Sequence, residues 1–150
     1  MSSILHGQGA DYELKRIDKT KNLSQAVVYC IEQDTSGFMW FGTKFGINKF
    51  NGEDFQAYFV TDGLPSNRVL SALVDSIGRF WVWTSEGLAL FNDALDRFEN
   101  VSSDLPEVYG SIAYMFEDKD GVIWCSGQDV VLKGISRLSD GAFHSHQAEI

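Results

Sequence analysis

The chain contains few side chains of the types and spacing that catalysis needs. His144 and His146 lie two residues apart in a strand-like segment, so they would share one face and could hold a metal ion with a third ligand. A solvated terminal strand explains them better, because no Cys–His metal spacing is present. No serine occupies a G-x-S-x-G nucleophile elbow, and no glycine-rich phosphate-binding pattern occurs. We therefore expect no catalytic site, no metal and no cofactor, and we interpret the chain as non-enzymatic.

Three carboxylates recur at equivalent positions, each followed by Gly after three residues and by Trp after six; they are Asp34, Asp75 and Asp118. Paired carboxylates could perform general acid–base chemistry. A residue that repeats at every turn is better explained as a turn former, because an Asp side chain can accept hydrogen bonds from the backbone just after it and Gly tolerates positive φ. The recurrence thus predicts a structural role for these aspartates in preference to a catalytic one.

The tryptophans of these copies, Trp40, Trp81 and Trp124, are separated by 41 and 43 residues. A fixed period near forty filled with short strand-like runs is typical of a β-propeller with about four strands per blade. We predict an all-β fold, a partial β-propeller of about three four-stranded antiparallel blades. The three tryptophans are expected to pack between neighbouring blades, and Gly46, Gly87 and Gly134 to mark tight turns.

Alternation and turn signals divide the chain into segments. We predict an N-terminal segment with a separate strand, then three blades and a short tail, at residues 1–22 (strand 12–17), 23–60, 61–103, 104–146 and 147–150. The first blade is expected to have strands at 26–33, 38–43, 47–50 and 55–59. The strands predicted for the second are 69–74, 79–84, 88–91 and 97–101, and those for the third are 111–117, 122–126, 134–138 and 142–146.

Composition excludes several partners. There are 12 Lys and Arg against 21 Asp and Glu, a net charge of −9, which disfavours nucleic acid and anionic membranes. No apolar run approaches the roughly 20 residues of a membrane span, and no export signal is visible. Cys30 and Cys125 fall in different repeats, so two buried free thiols are expected in place of a disulfide.

The first copy carries the fullest motif, with Trp40-Phe-Gly-Thr43 and Gly46-Ile-Asn-Lys-Phe50 after its aspartate. Together with the linking segment Asp62-Gly-Leu-Pro-Ser-Asn-Arg-Val69, it resembles the two-component regulator propeller repeat. The second copy has Trp83 where that family has Gly. The third has Cys125-Ser-Gly127 in place of Ile-Gly-Thr, and four more residues before Gly134.

This resemblance implies an extracytoplasmic sensor segment of a bacterial signalling receptor, with a periplasmic or extracytoplasmic location. Family members carry complete propellers followed by a β-sandwich, a membrane helix and an output module, and some recognise oligosaccharides. We therefore expect this chain to be an N-terminal part of such a sensor or a truncated relative, and its partner to be a small polar ligand such as an oligosaccharide.

Loops at one end of a propeller supply the candidate binding groups. The predicted ligand-binding residues are Lys44, Phe45, Asn67, Arg68, Trp83, Glu86 and Tyr109. The rival interpretations are a structural module that assembles with other propeller chains without a small ligand, and a propeller hydrolase or lyase. Three blades would leave apolar faces uncovered, so self-association or pairing with further blades is also expected.

Overall fold

The computed structural model describes residues 3–7, 10–14, 23–102, 112–127, 130–136 and 144–147. Within them lie three four-stranded antiparallel sheets, and each sheet follows the chain order as a simple meander. This architecture confirms the predicted all-β fold of about three propeller blades. The predicted boundaries between segments stay a prediction.

Blade 1 consists of β3 (Val28–Gln33), β4 (Met39–Thr43), β5 (Gly46–Phe50) and β6 (Phe55–Tyr58). Blade 2 consists of β7 (Val69–Val74), β8 (Phe80–Thr84), β9 (Gly87–Asn92) and β10 (Arg97–Asn100). Blade 3 consists of β11 (Ile112–Glu117), β12 (Ile123–Gly127), β13 (Val130–Ser136) and β14 (His144–Gln147). The first strand of each blade is innermost, since β7 contacts both β3 and β11.

The N-terminal strand differs from the prediction. In the described residues it begins at Ala10, two residues before the predicted start, and spans Ala10–Leu14 (β2); the remainder of the predicted strand, 15–17, lies outside the described residues. β2 pairs antiparallel with Ser3–Gly7 (β1) in a two-stranded sheet of its own. Leu14 pairs with Ser3 and Ala10 with Gly7, so a hairpin satisfies the backbone of β2. β2 belongs to none of the three blade sheets, and its partner is the adjacent strand in sequence.

The third blade corrects two further predictions. Its third strand begins at Val130, four residues before the predicted start, so most of the longer copy-three segment is strand. Gly134 pairs with Trp124 within the sheet and does not mark a tight turn. A register shift between Cys125 and Gly127, where two steps along β12 face three along β13, accommodates one extra residue, as a β-bulge does. Gly46 and Gly87, by contrast, adopt positive φ directly after their turns.

One local unit recurs in all three blades and joins the turn before the second strand to the repeated tryptophan. Asp34 Oδ1 accepts backbone N–H groups of Ser36 and Phe38 at 3.0 and 2.9 Å, and its Oδ2 accepts the Trp40 indole N–H at 2.7 Å. Asp75 and Asp118 repeat both contacts, with Trp81 and Trp124 donating at 2.9 and 2.7 Å. The recurring aspartates are therefore turn formers, as predicted.

The repeated tryptophan points toward the following blade. Trp40 is 1% exposed, and its ring centroid lies 4.6 Å from Phe80 and 4.9 Å from Phe91 of blade 2.

Two apolar clusters fill the spaces between the blades. Core 1 is the cluster between blades 1 and 2; its other buried members include Ile47, Tyr58, Leu64, Val69, Ala72, Val82 and Phe98. Core 2, between blades 2 and 3, contains Trp81, Trp83, Leu88 and Cys125, with Met115 packed against them. Trp124 makes the same indole hydrogen bond but remains partly exposed.

Polar contacts join the blades outside the cores. Asp96, on the loop between β9 and β10, accepts the Tyr58 hydroxyl at 2.7 Å and the Gln56 amide at 2.9 Å. Between blades 2 and 3, Glu117 accepts the backbone N–H and the hydroxyl of Ser76 at 2.6 and 2.7 Å. These contacts hold neighbouring blades in register at the edges of the apolar cores.

We predict acid-sensitive stability from the buried aspartate. Burial acts to raise the pKa of Asp75, but hydrogen bonds from Trp81 and Arg79 outweigh it and lower that pKa. The unfolded chain therefore binds more protons near pH 4, where a free Asp titrates, and the free energy of unfolding falls as the pH drops from about 5 through the lowered folded-state pKa. Asp75→Asn should flatten this dependence and cost about 1.5–3 kcal/mol at pH 7.

Urea unfolding monitored by tryptophan fluorescence at several pH values measures this effect. Asp93→Asn is the matched control, because Asp93 is exposed on the loop between β9 and β10. An Asp75→Asn variant with the wild-type pH dependence would contradict the assignment.

Candidate functional site

The candidate site is a rim of loops at the end of blades 1 and 2 where β4 and β8 finish. The loop between β6 and β7 contacts both adjoining hairpins: Gly46 N–H donates to the Asn67 carbonyl at 2.6 Å, and Ser85 N–H donates to the Arg68 carbonyl at 2.9 Å. Backbone atoms make both bonds, so the main chain of the loop is fixed against both hairpins.

The two hairpins are built alike. The Thr43 hydroxyl donates to the Gly46 carbonyl at 2.9 Å and accepts the Phe45 N–H at 3.0 Å. Thr84 does the same with the Gly87 carbonyl and the Glu86 N–H, at 2.9 and 3.3 Å. Each buried threonine hydroxyl thus closes the turn, and the hairpin tips point into solvent.

Five of the seven predicted ligand residues lie on this rim. Phe45 is 54% exposed, and Lys44, Arg68 and Glu86 are exposed as well. Asn67 is partly buried, and its side-chain oxygen accepts the Val60 N–H at 2.9 Å. The loop geometry therefore brings together two cations, one carboxylate and one uncovered aromatic ring.

The other two residues are placed differently. Trp83 is only 4% exposed and packs in core 2, away from the solvent-facing tips. It takes the position that Gly42 has in blade 1, where a side chain would collide with Cys30 and Val69. Copy two has the smaller Ser71 in place of Cys30. Tyr109 lies outside the described residues.

The rim carries exposed groups that can contact a polar molecule. Exposed Lys44, Arg68 and Glu86 can donate or accept hydrogen bonds, and the Phe45 ring offers an apolar face on which a flat molecule can stack. In the described part of the chain, no three or more His, Cys, Asp or Glu side chains gather where they could hold a metal ion. His144 and His146 both lie on β14.

A cavity at the opposite end of blade 1 was not predicted. A cavity of about 300 Å³ is lined by Phe38, Lys49, Asn51, Asp54, Phe55 and Gln56. The Lys49 ammonium lies 4.5 Å from the Phe38 ring and 5.1 Å from the rings of Trp40 and Phe91. The sequence contained one indication of this cavity: the charged Lys49 stands where the second copy has the apolar Leu90.

The two cysteines are free thiols, as predicted. Cys125 is buried in core 2, whereas Cys30 is only partly buried and packs against core 1. Burial raises the pKa of Cys30 to about 11 and that of Cys125 to about 12. Neither thiol is therefore suited to act as a nucleophile at neutral pH.

Comparison with known proteins confirms the resemblance. Residues 22–45 match the family model described as two-component regulator propeller. A 54-residue segment is 41% identical to a protein named histidine kinase P4 of Formosa agariphila; it spans 36% of this chain and 4% of the kinase.

Solved structures show the same fold. Two extracellular domains described as parts of two-component systems of B. thetaiotaomicron superpose with TM-scores of 0.65 and 0.64 at 18% and 21% identity. This chain is covered to 95% and 81%, and those chains to 20% and 19%. A catalytically inactive virginiamycin B lyase from Staphylococcus aureus, with quinupristin, superposes with a TM-score of 0.62 at 15% identity, covering 94% of this chain and 46% of the lyase.

The chain thus spans about a fifth of the length of these two extracellular domains. Among the described residues, the structure has no helix with the length and apolar character of a membrane span.

The thiol pKa values predict slow alkylation of the folded protein. Because a thiolate is the reacting species, iodoacetamide at pH 7.5 should modify Cys30 and Cys125 at least tenfold more slowly in the native protein than in urea. Mass spectrometry of timed samples measures both rates. Native labelling at the rate of the unfolded chain would contradict the raised pKa values.

Proposed function

We propose that this chain is a non-catalytic ligand-recognition segment of an extracytoplasmic bacterial sensor. The observation that carries the proposal is the loop rim, which exposes Lys44, Phe45, Arg68 and Glu86 and whose main chain is fixed by two backbone hydrogen bonds between the β6–β7 loop and the adjoining hairpins. Rigidly positioned loops bind with a smaller entropic cost than loops that must order on binding. The matches to the two-component regulator propeller and to a histidine kinase favour a sensory role over an enzymatic one.

The ligand class that fits best is a small polar molecule such as an oligosaccharide. The Phe45 ring can stack on the apolar face of a sugar ring, while Arg68 and Glu86 can bind its hydroxyl groups. Both charged side chains are exposed, so they can approach a ligand without first breaking a buried ion pair. An extracytoplasmic location agrees with this ligand class.

A thermal-shift screen against neutral and acidic oligosaccharides tests the proposal. A ligand that binds the folded state raises the melting temperature; at one hundred times Kd the gain is about 2.7 kcal/mol. We expect Arg68→Ala and Phe45→Ala to reduce the ligand-induced shift by more than half.

Two variants at the far end of blade 2 are matched controls. Arg97 is exposed at the start of β10, and Leu95 is 62% exposed on the preceding loop, so Arg97→Ala and Leu95→Ala should keep the full shift. A shift that survives in the rim variants and is lost in Lys49→Met would move the site to the cavity at the other end. A screen in which no oligosaccharide raises the melting temperature would count against oligosaccharide recognition.

A further inference from the structure

Lys49 is a cation at a position where the fold otherwise places an apolar side chain. It lies on β5, whose other four residues are buried, and the matching residue of β9 is Leu90, which packs against core 2. The Lys49 ammonium lies 4.5 Å from the Phe38 ring and 5.1 Å from those of Trp40 and Phe91. Because Trp40 and Phe91 are buried in core 1, the charge lies at the edge of that core.

The protein supplies this charge with no counterion among the described residues. In that part of the chain, no carboxylate lies within ion-pair distance of the Lys49 ammonium, and the ammonium donates no hydrogen bond. Hydrogen bonds from Tyr58 and Gln56, and to a lesser extent the Lys49 charge, lower the pKa of Asp96. That carboxylate is therefore close, but both of its oxygens are already bound.

A partly buried charge without a counterion is unfavourable. The aromatic rings around Lys49 offset part of this cost through cation–π contacts. The three N–H donors of the ammonium remain free to bind an anionic group of a ligand.

The blade-1 cavity, the space of about 300 Å³ in front of Lys49, also carries a negative charge. Phe38, Lys49 and Phe55 are its partly buried lining residues, and Asp54 lines it from an exposed position. The Asp54 N–H donates to the Asn51 side chain at 2.8 Å, which fixes the turn. The Asp54 carboxylate accepts no hydrogen bond from the described residues. Lys49 and Asp54 thus line one cavity without pairing with each other.

A small zwitterion with an apolar part complements these groups. Its carboxylate can accept a charge-assisted hydrogen bond from Lys49, its ammonium can donate to Asp54, and a hydrocarbon chain can lie against the Phe38 and Phe55 rings. An α-amino acid with an apolar side chain carries all three groups on one carbon atom. The cavity volume of about 300 Å³ is at the lower end of the roughly 300–1,000 Å³ of small-molecule sites, so it matches one amino acid better than an oligosaccharide.

We propose that the blade-1 cavity binds a small α-amino acid with an apolar side chain, with the ligand carboxylate on Lys49 and the ligand ammonium on Asp54. The ligand then supplies the counterion that Lys49 lacks, next to the rings of blades 1 and 2. This inference rests on the contacts of the blade-1 cavity and not on the loop rim, which lies at the other end of the blade.

Isothermal titration calorimetry of the full chain with L-leucine, L-phenylalanine and L-alanine tests the proposal. Lys49→Met keeps the length and apolar stem of the side chain but removes its charge, so it should raise the Kd for the amino acid that binds at least tenfold. Asp54→Asn should raise it about two- to fivefold, because an exposed charge pair contributes less. If none of the three amino acids bound at about 10 mM, tenfold above a Kd of 1 mM, the proposal would be wrong.

Two variants make the same chemical changes outside the cavity and serve as matched controls. Lys44→Met removes an exposed lysine of the loop rim, and Glu53→Gln removes the exposed charge beside Asp54 in sequence, which does not line the cavity. Both should bind the amino acid as the wild type does. Binding that is unchanged in Lys49→Met, or weakened equally in Glu53→Gln and Asp54→Asn, would contradict the assigned contacts.

Analogues of L-leucine assign the two charges from the side of the ligand. L-Leucinamide lacks the carboxylate and should bind the wild type at least tenfold more weakly than L-leucine. 4-Methylpentanoate lacks the ammonium, so its binding should be weakened by Lys49→Met but not by Asp54→Asn. Leucinamide that bound as tightly as leucine would overturn the role of Lys49, and 4-methylpentanoate that bound more tightly than leucine would overturn that of Asp54.

The melting temperature separates a loss of binding from a loss of fold. Methionine at position 49 can contact the same aromatic rings without a charge to desolvate, so ligand-free Lys49→Met should melt at or above the wild-type temperature. L-Leucine should raise the melting temperature of the wild type and of Lys44→Met, but not that of Lys49→Met. A ligand-free Lys49→Met that melted well below the wild type would show that Lys49 serves the fold, and the ligand role would be withdrawn.

Discussion

The structure depends on one carboxylate per blade that joins a turn to a tryptophan. A buried indole N–H needs an acceptor and a buried carboxylate needs donors, and the spacing of six residues lets each satisfy the other. In blade 2 the Asp75 carboxylate also binds the Arg79 guanidinium at 2.6 Å. In blades 1 and 2 the bond orients the ring that packs against the following blade, so a local contact within one repeat contributes to the interface with the next.

The direction of this contact gives every blade two unlike faces. One carries the tryptophan, and the other carries the smaller or aromatic residues that receive it. In both core 1 and core 2 the repeated tryptophan packs against the following blade. Trp124 has the same orientation but is partly exposed to solvent. Repeat architectures are stabilised by such nearest-neighbour interfaces. The outer faces of blades 1 and 3 therefore differ from the faces between blades in exposure more than in composition.

The same interfaces support the loop rim. Val69 packs in core 1 immediately after Arg68, and Leu64 is buried in that core a few residues earlier, so the loop between β6 and β7 is anchored at two points. Between these anchors its backbone binds both hairpins. A rim held in this way can present exposed polar side chains without being mobile as a whole, which is the usual division between a rigid scaffold and its recognition loops.

The repeat alone was sufficient to predict the all-β class, the blade count and the turn role of Asp34, Asp75 and Asp118, because these follow from local spacing and turn chemistry. The strands of the first two blades were predicted to within about two residues for the same reason. Tertiary structure decided four features: the burial of Trp83, the strand position of Gly134, the pairing partner of β2 and the aromatic surroundings of Lys49. Each depends on which particular residue of another strand lies opposite, and a period in the sequence predicts that neighbouring blades pack together without identifying those residue pairs.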